Sequence, residues 1–453
     1  MTSHSLNALP IELLVFVIEN LDQARDISAL AQTNRRLYST ANPLLYQQAA
    51  QSNDARPLAW AARHGLVSTL KFALGAGLDP NHEFVEHIPA DEWKKAIAAT
   101  QDGSVLTTSD QASVVSTDGS LPQPGHVLPA REPLPRHPPD MVTRRFHAMH
   151  LAASQGRDEI IKILLEHGAS FNVPATRLCT CTQQYGLLNS LENPRNDLTP
   201  STWSPLHIAI CHAHSQTAKL LLSRGAPHLM EYWNDVTDWL SGYINPDLTA
   251  LHHAAAMGLT DLVRYLVESG LQKDVNLPDP RTFTPFYHAY ANRRWDSTIP
   301  LLLELGANID VETKMYIPYT AITPLGEACR LGHYEVADRL IDLGANVKHG
   351  FVATNGGTMG GCLTPLHMCC MRSATAPDAP KNPGEEEKWR GAARMKTMEK
   401  LIAKGAKLEV KDCFGSTPMM AATQWGNGPA INVLLKAGAE LHDPNVTERA
   451  ALP

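Results

Sequence analysis

The chain of 453 residues lacks long apolar runs and an excess of basic residues. A membrane-spanning helix needs about 18 or more consecutive apolar residues, so the sequence predicts no transmembrane segment. The apolar stretch at 13–18 lies between Glu12 and Glu19 without a basic leader, which does not fit a signal peptide. The net charge of −7 argues against a nucleic-acid-binding protein, because such proteins carry basic faces.

Cysteine and glycine are present, but not in the arrangements that disulfide frameworks or phosphate-binding loops need. The eight cysteines show no disulfide-framework spacing, and several lie in apolar segments with helical periodicity. A reducing cytoplasmic or nuclear location is therefore expected. The glycine pairs at 356–357 and 360–361 are predicted to lie in a turn between helical units, and no phosphate-binding loop and no cofactor are predicted.

A repeated pattern dominates the chain. Each copy begins with Thr-Pro-Leu-His or a close variant, followed by two small residues and a Gly. An apolar helix comes next and ends in Leu-Leu-x-x-Gly-Ala-x-x-Asn. Clear copies occupy 204–226, 249–276 and 323–347. Thr or Ser caps the first helix, Pro suits its first position, and the late Gly suits a left-handed helix end. Such helix pairs bury their apolar faces only against neighbouring pairs, which predicts a stacked solenoid with a concave face.

These repeats resemble ankyrin repeats over most of residues 57–441. The position of the motif's Pro is filled by Pro57, Ala148, Pro205, Ala250, Pro285, Pro324, Pro365 and Pro418. The spacings exceed the family's period of about 33 residues, so the repeats are expected to carry loop insertions.

The boundaries of the repeats follow from this alignment. Ankyrin repeats are predicted at 57–81, 147–172, 203–227, 248–276, 283–310, 322–347, 363–409 and 416–441. Insertions are predicted at 82–146, 173–202 and 374–392, and a tail at 442–453. Residues 82–146 include a short helix at 91–100 and then a Ser/Thr-rich and Pro-rich stretch that is too poor in apolar residues to order itself. Within it, the PxxP motif from Pro135 to Pro138 fits either a ligand of SH3 or WW domains or a solvated linker.

The first fifty residues differ from the repeats. A helix from Pro10 to about Leu21 is apolar on nearly every face, a second is predicted at about 26–38, and Pro43 is expected to end the pattern before a short third segment. About 45 residues cannot enclose that much apolar surface alone, so a partner or the adjoining repeats must cover it.

This segment, 6–50, resembles an F-box. The features that carry the resemblance are Leu-Pro-Ile-Glu-Leu-Leu at 9–14, Ile18, Leu21, Asp26-Ile27, Leu30, Asn-Arg-Arg-Leu-Tyr at 34–38, Pro43 and Leu45-Tyr46. Gln32-Thr33 depart from the usual pattern. The resemblance implies binding of the SKP-family adaptor of cullin-based ubiquitin ligases through Leu9, Pro10, Glu12, Leu13, Leu14, Ile18, Leu21, Ile27, Leu30, Leu37, Leu45 and Tyr46. A helical cap that shields the first repeat is the alternative, and the two are compatible.

The residues that could suggest a chemical site fit structural roles instead. His150, His207, His252 and His367 occupy the motif's His position, whose family role is to hold backbone groups of the turn. Cys369-Cys370 occupy the small-pair position and are expected to pack in the core. The Cys179-Thr-Cys181 pair with Cys211 and His212 is a weak zinc candidate, because zinc needs four converging ligands. No metal site and no enzyme are predicted.

The sequence thus predicts an all-α fold, a three-helix F-box followed by an ankyrin-repeat α-solenoid with loop insertions. We expect a substrate-recognition adaptor of an SCF-type ubiquitin ligase, or else a ligase-independent scaffold. The substrate-binding residues are expected on the concave face, where the family's variable positions project: Arg63, His64, Ser154, Gln155, Cys211, His212, Met257, Asn292, Arg330, Leu331, Met371, Arg372, Gln424 and Trp425. Trp425 is open to a second interpretation, packing against the last repeat.

Overall fold

The computed structural model describes residues 10–19, 27, 30, 35–89, 141–176, 178, 202–228, 249–279, 283–315, 320–355, 358–371, 383–412 and 415–441. The chain divides into two compact units, Met1–Leu271 and Gln272–Pro453. Helical hairpins make up most of both, and no helix among these residues is long and apolar enough to cross a membrane.

Among the described residues, the first unit contains two N-terminal helices whose bounds are defined, followed by four helical hairpins. Its helices are α1 (Ile11–Glu19), α2 (Arg35–Gln51), α3 (Arg56–His64), α4 (Val67–Gly75), α5 (Ala148–Ser154), α6 (Asp158–Glu166), α7 (Pro205–Cys211), α8 (Ser215–Ser223), α9 (Ala250–Met257) and α10 (Thr260–Glu268). The first helices of successive hairpins, α3, α5, α7 and α9, pack side by side, and so do the second helices, α4, α6, α8 and α10. The N-terminal helix α2 packs on α4.

The second unit is built in the same way from four more hairpins. Its helices are α11 (Pro285–Ala291), α12 (Thr298–Glu304), α13 (Pro324–Leu331), α14 (Tyr334–Asp342), α15 (Pro365–Cys370), α16 (Pro383–Ala403), α17 (Pro418–Gln424) and α18 (Gly428–Lys436). The first helices α13, α15 and α17 stack in order, and the second helices α14, α16 and α18 stack beside them. Each unit is therefore a stack of helical hairpins, as the predicted solenoid fold requires.

The helix boundaries follow the predicted capping chemistry. Seven of the eight motif positions begin the first helix of a hairpin, and the eighth, Pro57, is the second residue of α3. The hydroxyls of Ser204, Thr284, Thr323 and Thr417 accept a hydrogen bond from the third residue of the helix that follows. The late glycines Gly168, Gly225, Gly306, Gly344, Gly405 and Gly438 all adopt a positive φ of 84–95°. These ends satisfy carbonyl and amide groups that a helix leaves unpaired.

Side chains at the hairpin ends join neighbouring repeats. Asn81 donates through Nδ2 to the carbonyl of Gly168 at 3.1 Å, and its Oδ1 accepts from Ser170 N at 2.7 Å. Asn276 repeats the arrangement in the second unit, with Gly306 O at 3.0 Å and Asn308 N at 2.7 Å. At these two positions, the Asn that closes the sequence motif therefore joins neighbouring repeats.

Two four-stranded antiparallel sheets were not predicted. The first contains β1 (Phe84–Pro89), β2 (Met141–Phe146), β3 (Ala175–Thr176) and β4 (Thr202–Trp203), and the second contains β5 (Thr313–Met315), β6 (Thr320–Ile322), β7 (Phe351–Asn355) and β8 (Thr358–Leu363). Each sheet pairs in sequence order, and Phe84 lies opposite Phe146 in the β1–β2 ladder. The strands are the edges of the inserted segments, so the fold is mainly helical with two small sheets.

The predicted loops are therefore shorter than the sequence suggested. Strands occupy both ends of the predicted 82–146 insertion, where residues with strand propensity such as Val85 and Ile88 favour pairing. The predicted helix at 91–100 and the PxxP motif lie outside the described residues. Helix α16 begins at Pro383, inside the predicted 374–392 loop, because that stretch is rich in helix-favouring Glu, Lys and Arg. Gly360 and Gly361 lie in β8 and not in a turn.

Pro43 does not end a helix, which corrects the prediction for the N-terminal segment. Helix α2 runs through it from Arg35 to Gln51. An interior proline costs about 3 kcal/mol, but α2 also buries Leu37, Ala41, Leu45 and Tyr46. Burial of one large apolar side chain contributes about 1.5–3 kcal/mol, so packing outweighs the lost hydrogen bond.

Candidate protein-binding surface

The residues predicted to bind a partner share one structural position. They lie in the last turn, or just past the end, of the first helix of each hairpin. In the first unit these are Arg63, His64, Ser154, Gln155, Cys211, His212 and Met257, and in the second Asn292, Arg330, Leu331, Met371, Gln424 and Trp425. Arg372 lies outside the described residues. Ser154 is buried, so it offers no contact surface, while the others are at least partly accessible.

Charged groups of the first hairpin meet the β1–β2 ladder. Arg63 and Arg144 both face Glu86, with nitrogen–oxygen distances of 3.9 and 3.8 Å. Burial lowers the pKa of the Arg144 guanidinium, and the Glu86 carboxylate opposes that shift. The sequence analysis missed this contribution of the strands, although the alternation of residues in 84–89 was the available signal.

His64 forms part of the same surface. Its imidazole lies against the Trp60 indole with ring centroids 3.8 Å apart. Burial lowers the pKa of His64, and the neighbouring charges of Arg63 and Arg157 lower it further. This end of the first unit therefore combines an aromatic stack with arginine side chains, a composition common at protein interfaces.

A buried polar network lies near the predicted binding residues of the second unit. The hydroxyl of Tyr287 donates to the Glu327 carboxylate at 3.0 Å, and His288 Nε2 lies 3.0 Å from Asp279. Burial raises the pKa of Glu327, and the Tyr287 hydrogen bond and the charge of Arg330 oppose the shift. The charge of Arg330, three residues further along α13, therefore acts on this buried acid.

Trp425 is accessible at the end of α17, with 47% of its surface exposed. The alternative in which this indole is packed away against the last repeat is therefore not what the structure shows. An exposed large aromatic residue is a frequent centre of binding energy at interfaces.

Three of the four motif histidines have the structural role that the resemblance implied. His150 Nδ1 accepts from His147 N at 3.1 Å, and its Nε2 contacts the carbonyls of Val173 and Trp203 at 3.1 Å. His252 and His367 accept in the same way from the capping Thr249 and Thr364. The rings of His150 and His367 thereby connect a helix start to the turn of a neighbouring segment.

The predicted adaptor-binding residues divide into buried and exposed groups. Leu14, Ile18, Ile27, Leu37, Leu45 and Tyr46 are buried within the chain, and Leu30 packs against the cluster of Ile18, Ile27, Ala41 and Leu45. Pro10 and Leu13 are exposed, as is the neighbouring Ile11. Leu9 and Leu21 lie outside the described residues, as does the side chain of Glu12. Adaptor binding by this set stays a prediction, and Pro10, Ile11 and Leu13 form the accessible apolar edge.

Models of known families match the repeats. The ankyrin-repeat model in three copies matches residues 137–231 and 229–313, and the single ankyrin-repeat model matches residues 322–349. The chain contains ankyrin repeats. Ankyrin repeats imply protein–protein interaction as the function of this region. The family-model comparison finds no F-box domain.

Curated proteins resemble part of the chain. "Probable E3 ubiquitin-protein ligase XBOS32" of Oryza sativa subsp. japonica is 30% identical over 176 residues, which cover 36% of this chain and 32% of that protein. "Ankyrin repeat protein nuc-2" of Neurospora crassa is 28% identical over 204 residues, covering 45% of this chain and 16% of that protein. The chain thus spans a third or less of the length of these relatives.

Solved ankyrin-repeat structures are also similar. The ankyrin repeat domain of Bcl-3 matches with a TM-score of 0.40 and 20% identity, covering 63% of this chain and 97% of that domain. The human ASB11 ankyrin repeat domain matches with a TM-score of 0.38 and 22% identity, covering 65% of this chain and 99% of that domain.

Proposed function

We propose that the protein is the substrate-recognition adaptor of an SCF-type ubiquitin ligase. In this proposal the N-terminal helices bind an SKP-family adaptor and the ankyrin repeats bind a substrate protein. The chain contributes no catalytic residue, and it acts by raising the effective concentration of substrate lysines near the ubiquitin-charged enzyme. The rice relative's description as a probable E3 ubiquitin-protein ligase agrees with this reaction class.

The observation that carries the proposal is the two-sided apolar character of α1. Leu14 and Ile18 are fully buried in the chain, while Leu13 is 50% exposed and Ile11, the first residue of the helix, is 54% exposed. An accessible leucine and isoleucine next to an exposed proline form an apolar edge that another protein can cover. This is the part of the F-box resemblance that the chain's own packing leaves available.

The alternative function is a ligase-independent scaffold, and one contact favours it. The ring of Tyr46 in α2 stacks on Phe72 of the first repeat, with centroids 5.8 Å apart and planes within 6°. Helix α2 therefore covers the end of the hairpin stack, as a terminal cap does. The cap and the adaptor-binding edge use different faces, so this contact is compatible with either function.

Co-purification of the SKP adaptor and cullin with the full chain separates the two functions. Ile11→Asp with Leu13→Asp should abolish co-purification without unfolding the repeats, because both side chains are exposed. Val85→Asp is the matched control, since Val85 is 48% exposed on β1, and it should retain the adaptor. An intact wild-type chain that never binds the adaptor would exclude the ligase function and favour the scaffold.

The substrate surface is tested separately, on the second unit. Arg330→Ala with Trp425→Ala should weaken substrate capture markedly, because truncating an interface hot spot costs about 2 kcal/mol or more. Leu435→Ala on α18 is the control. This side chain is 44% exposed, but it lies on the second helix of its hairpin and not among the predicted binding residues. Unchanged capture by the double variant at unchanged thermal stability would place the substrate elsewhere.

A further inference from the structure

Two histidines and a cysteine of the first unit come together across adjacent repeats. His207 and Cys211 lie on α7, and His253 lies on α9. One potential ligand atom from each, an imidazole nitrogen or the thiol sulfur, lies within 4.8 Å of the other two. Among the residues that the structure describes, this is the one such group of His, Cys, Asp or Glu side chains.

We propose that His207, Cys211 and His253 form a Zn²⁺ site that links the third and fourth repeats. Two imidazole nitrogens and a thiolate are ligands that zinc prefers, and three protein ligands leave a fourth position for water. The hard ions Mg²⁺ and Ca²⁺ prefer oxygen ligands and do not fit this set. The site shares Cys211 with the weak zinc candidate of the sequence analysis, whose Cys179 and Cys181 lie outside the described residues.

Helix geometry explains why two of the ligands converge. His207 and Cys211 are four residues apart, so they lie on the same face of α7 in successive turns. His253 comes from the neighbouring first helix α9, which packs directly on α7. Cys211 is only half-buried and is one of the residues of the candidate binding surface. The fourth coordination position of the ion is therefore accessible from that surface.

His253 is a polar residue at a position that is aliphatic in the two preceding repeats. It follows the motif's His252, and the corresponding residues are Leu151 in the second repeat and Ile208 in the third. The fifth and sixth repeats also bury a polar residue at this position, His288 and Glu327, and His253 is fully buried. Burying an imidazole costs free energy that its interactions must offset, and coordination of a metal would add to them.

The ring geometry defines the movement that binding needs. His207 lies between the Trp203 indole and the His253 imidazole, with ring centroids 3.7 and 4.1 Å away, and the two imidazole planes are within 24° of parallel. Tetrahedral zinc with bonds of about 2.0–2.3 Å needs ligand atoms ~3.3–3.6 Å apart. The groups must therefore close by up to about 1.5 Å, and one imidazole must rotate about its broad χ2 torsion so that the nitrogens point to one ion.

The repeats themselves supply the substitutions for the test. Ser154 is the second repeat's counterpart of Cys211, and Leu151 is its counterpart of His253. Cys211→Ser and His253→Leu therefore replace each ligand by a residue that the same fold already accommodates. His253→Leu should fold at least as well as the wild type without metal, because an aliphatic side chain suits this buried position.

The experiment is a metal titration of the full-length chain after removal of metal with a chelator. One equivalent of Zn²⁺ should bind and raise the thermal midpoint, and Co²⁺ should give a tetrahedral ligand-field spectrum with a thiolate charge-transfer band. Each variant should lose affinity by at least about 100-fold, since loss of a mere outer-shell partner already costs 10–100-fold. Cys413→Ser, in the other unit, and Mg²⁺ in place of Zn²⁺ are the controls.

The proposal is overturned if the wild type takes up no stoichiometric Zn²⁺. It is also overturned if both variants keep wild-type affinity, because the ion would then be held by other ligands such as Cys179 and Cys181. Circular dichroism of each variant without metal separates loss of the site from loss of the fold. If His253→Leu were misfolded, the cobalt charge-transfer band of Cys211→Ser would still decide whether that thiolate is a ligand.

Discussion

The buried histidines make the stability of the first unit sensitive to pH. His150 is fully buried and hydrogen-bonded through both ring nitrogens, and burial lowers its pKa to about 3. An unfolded histidine has a pKa of about 6.5, so between those values the unfolded state binds a proton that the folded state does not. Stability contributed by this group is complete above pH 6.5 and is lost as the pH falls below it.

We therefore predict a steep loss of stability on acidification. Between pH 7 and pH 5, His150 alone should lower the free energy of unfolding by about 2 kcal/mol. The burial-lowered pKa of His147 and of His367 acts in the same direction. Urea denaturation at the two pH values checks this, with His150→Gln expected to reduce the pH dependence. The exposed His87 is the control, and an equal reduction in His87→Gln would contradict the assignment.

Glycine has a stereochemical role at only some positions, and Gly156 and Gly75 allow a direct comparison of a position that needs glycine with one that does not. Gly156 has a φ of +63°, and a Cβ there would lie 2.8 Å from His214 Nδ1. That ring cannot move freely, because its Nε2 contacts the Ser154 carbonyl at 3.0 Å. Gly75 lies in the last turn of α4 without a positive φ, and a methyl group added at this position would meet open space.

Alanine substitutions at these two glycines should have opposite effects on thermal stability. Gly156→Ala should cost about 1–2 kcal/mol from the left-handed backbone alone, and more from the contact with His214. Gly75→Ala should be neutral or stabilise by up to about 1 kcal/mol, because alanine loses less entropy in a helix. Similar midpoints for both variants in a thermal melt would mean that the turn at Gly156 can rearrange.

At the scale of the helix or strand, the sequence was informative where a residue has one local role. Thr284 and Thr417 cap helices and Gly306 ends one, as predicted, because capping depends only on residues a few positions apart. The strands could not be placed in the same way, since β1 pairs with β2 across a long insertion. Pro43 in α2 shows the same limit, because tertiary burial outweighed a strong local signal.

The position of the candidate binding residues at the ends of the first helices was predictable because it too depends on local sequence. The motif fixes where each first helix ends, so its last residues could be assigned to one row before the structure was known. The salt bridges from Glu86 to Arg63 and Arg144 could not be assigned, because they depend on how an inserted ladder folds back on the first hairpin. The approach of His253 to Cys211 likewise depends on the stacking of two repeats.

The Asn bridges between hairpins should contribute measurably to the stability of their unit. Asn276→Ala removes hydrogen bonds to both Gly306 and Asn308, which should cost about 1–2 kcal/mol in urea denaturation. Asn346→Ala is the matched control, since the Asn346 side chain accepts only from Lys348 N in its own turn among the bonds identified. Equal losses in the two variants would show that the bridge between repeats adds nothing beyond a local turn.

At the scale of the whole chain, the longest interval between two paired strands separates β1 from β2. The β1–β2 ladder brings Pro89 opposite Met141, so the chain leaves and re-enters this ladder at neighbouring positions. A four-residue turn is long enough to connect two such antiparallel strands. The segment between them is therefore not needed to set the geometry of the first unit, whatever it contributes to function.

Replacing residues 90–140 by a four-residue Asn-Gly turn should leave the repeats folded. Each doubling of loop length costs only about 0.6 kcal/mol in closure entropy, so the shortened chain should be stabilised by up to about 2 kcal/mol. Thermal melts of the shortened chain, and co-purification of the SKP adaptor with it, check this. Adaptor binding is expected to persist, because Ile11 and Leu13 lie on α1, apart from the β1–β2 ladder. Loss of the first unit's cooperative melt would show that residues 90–140 contain packing that the repeats require.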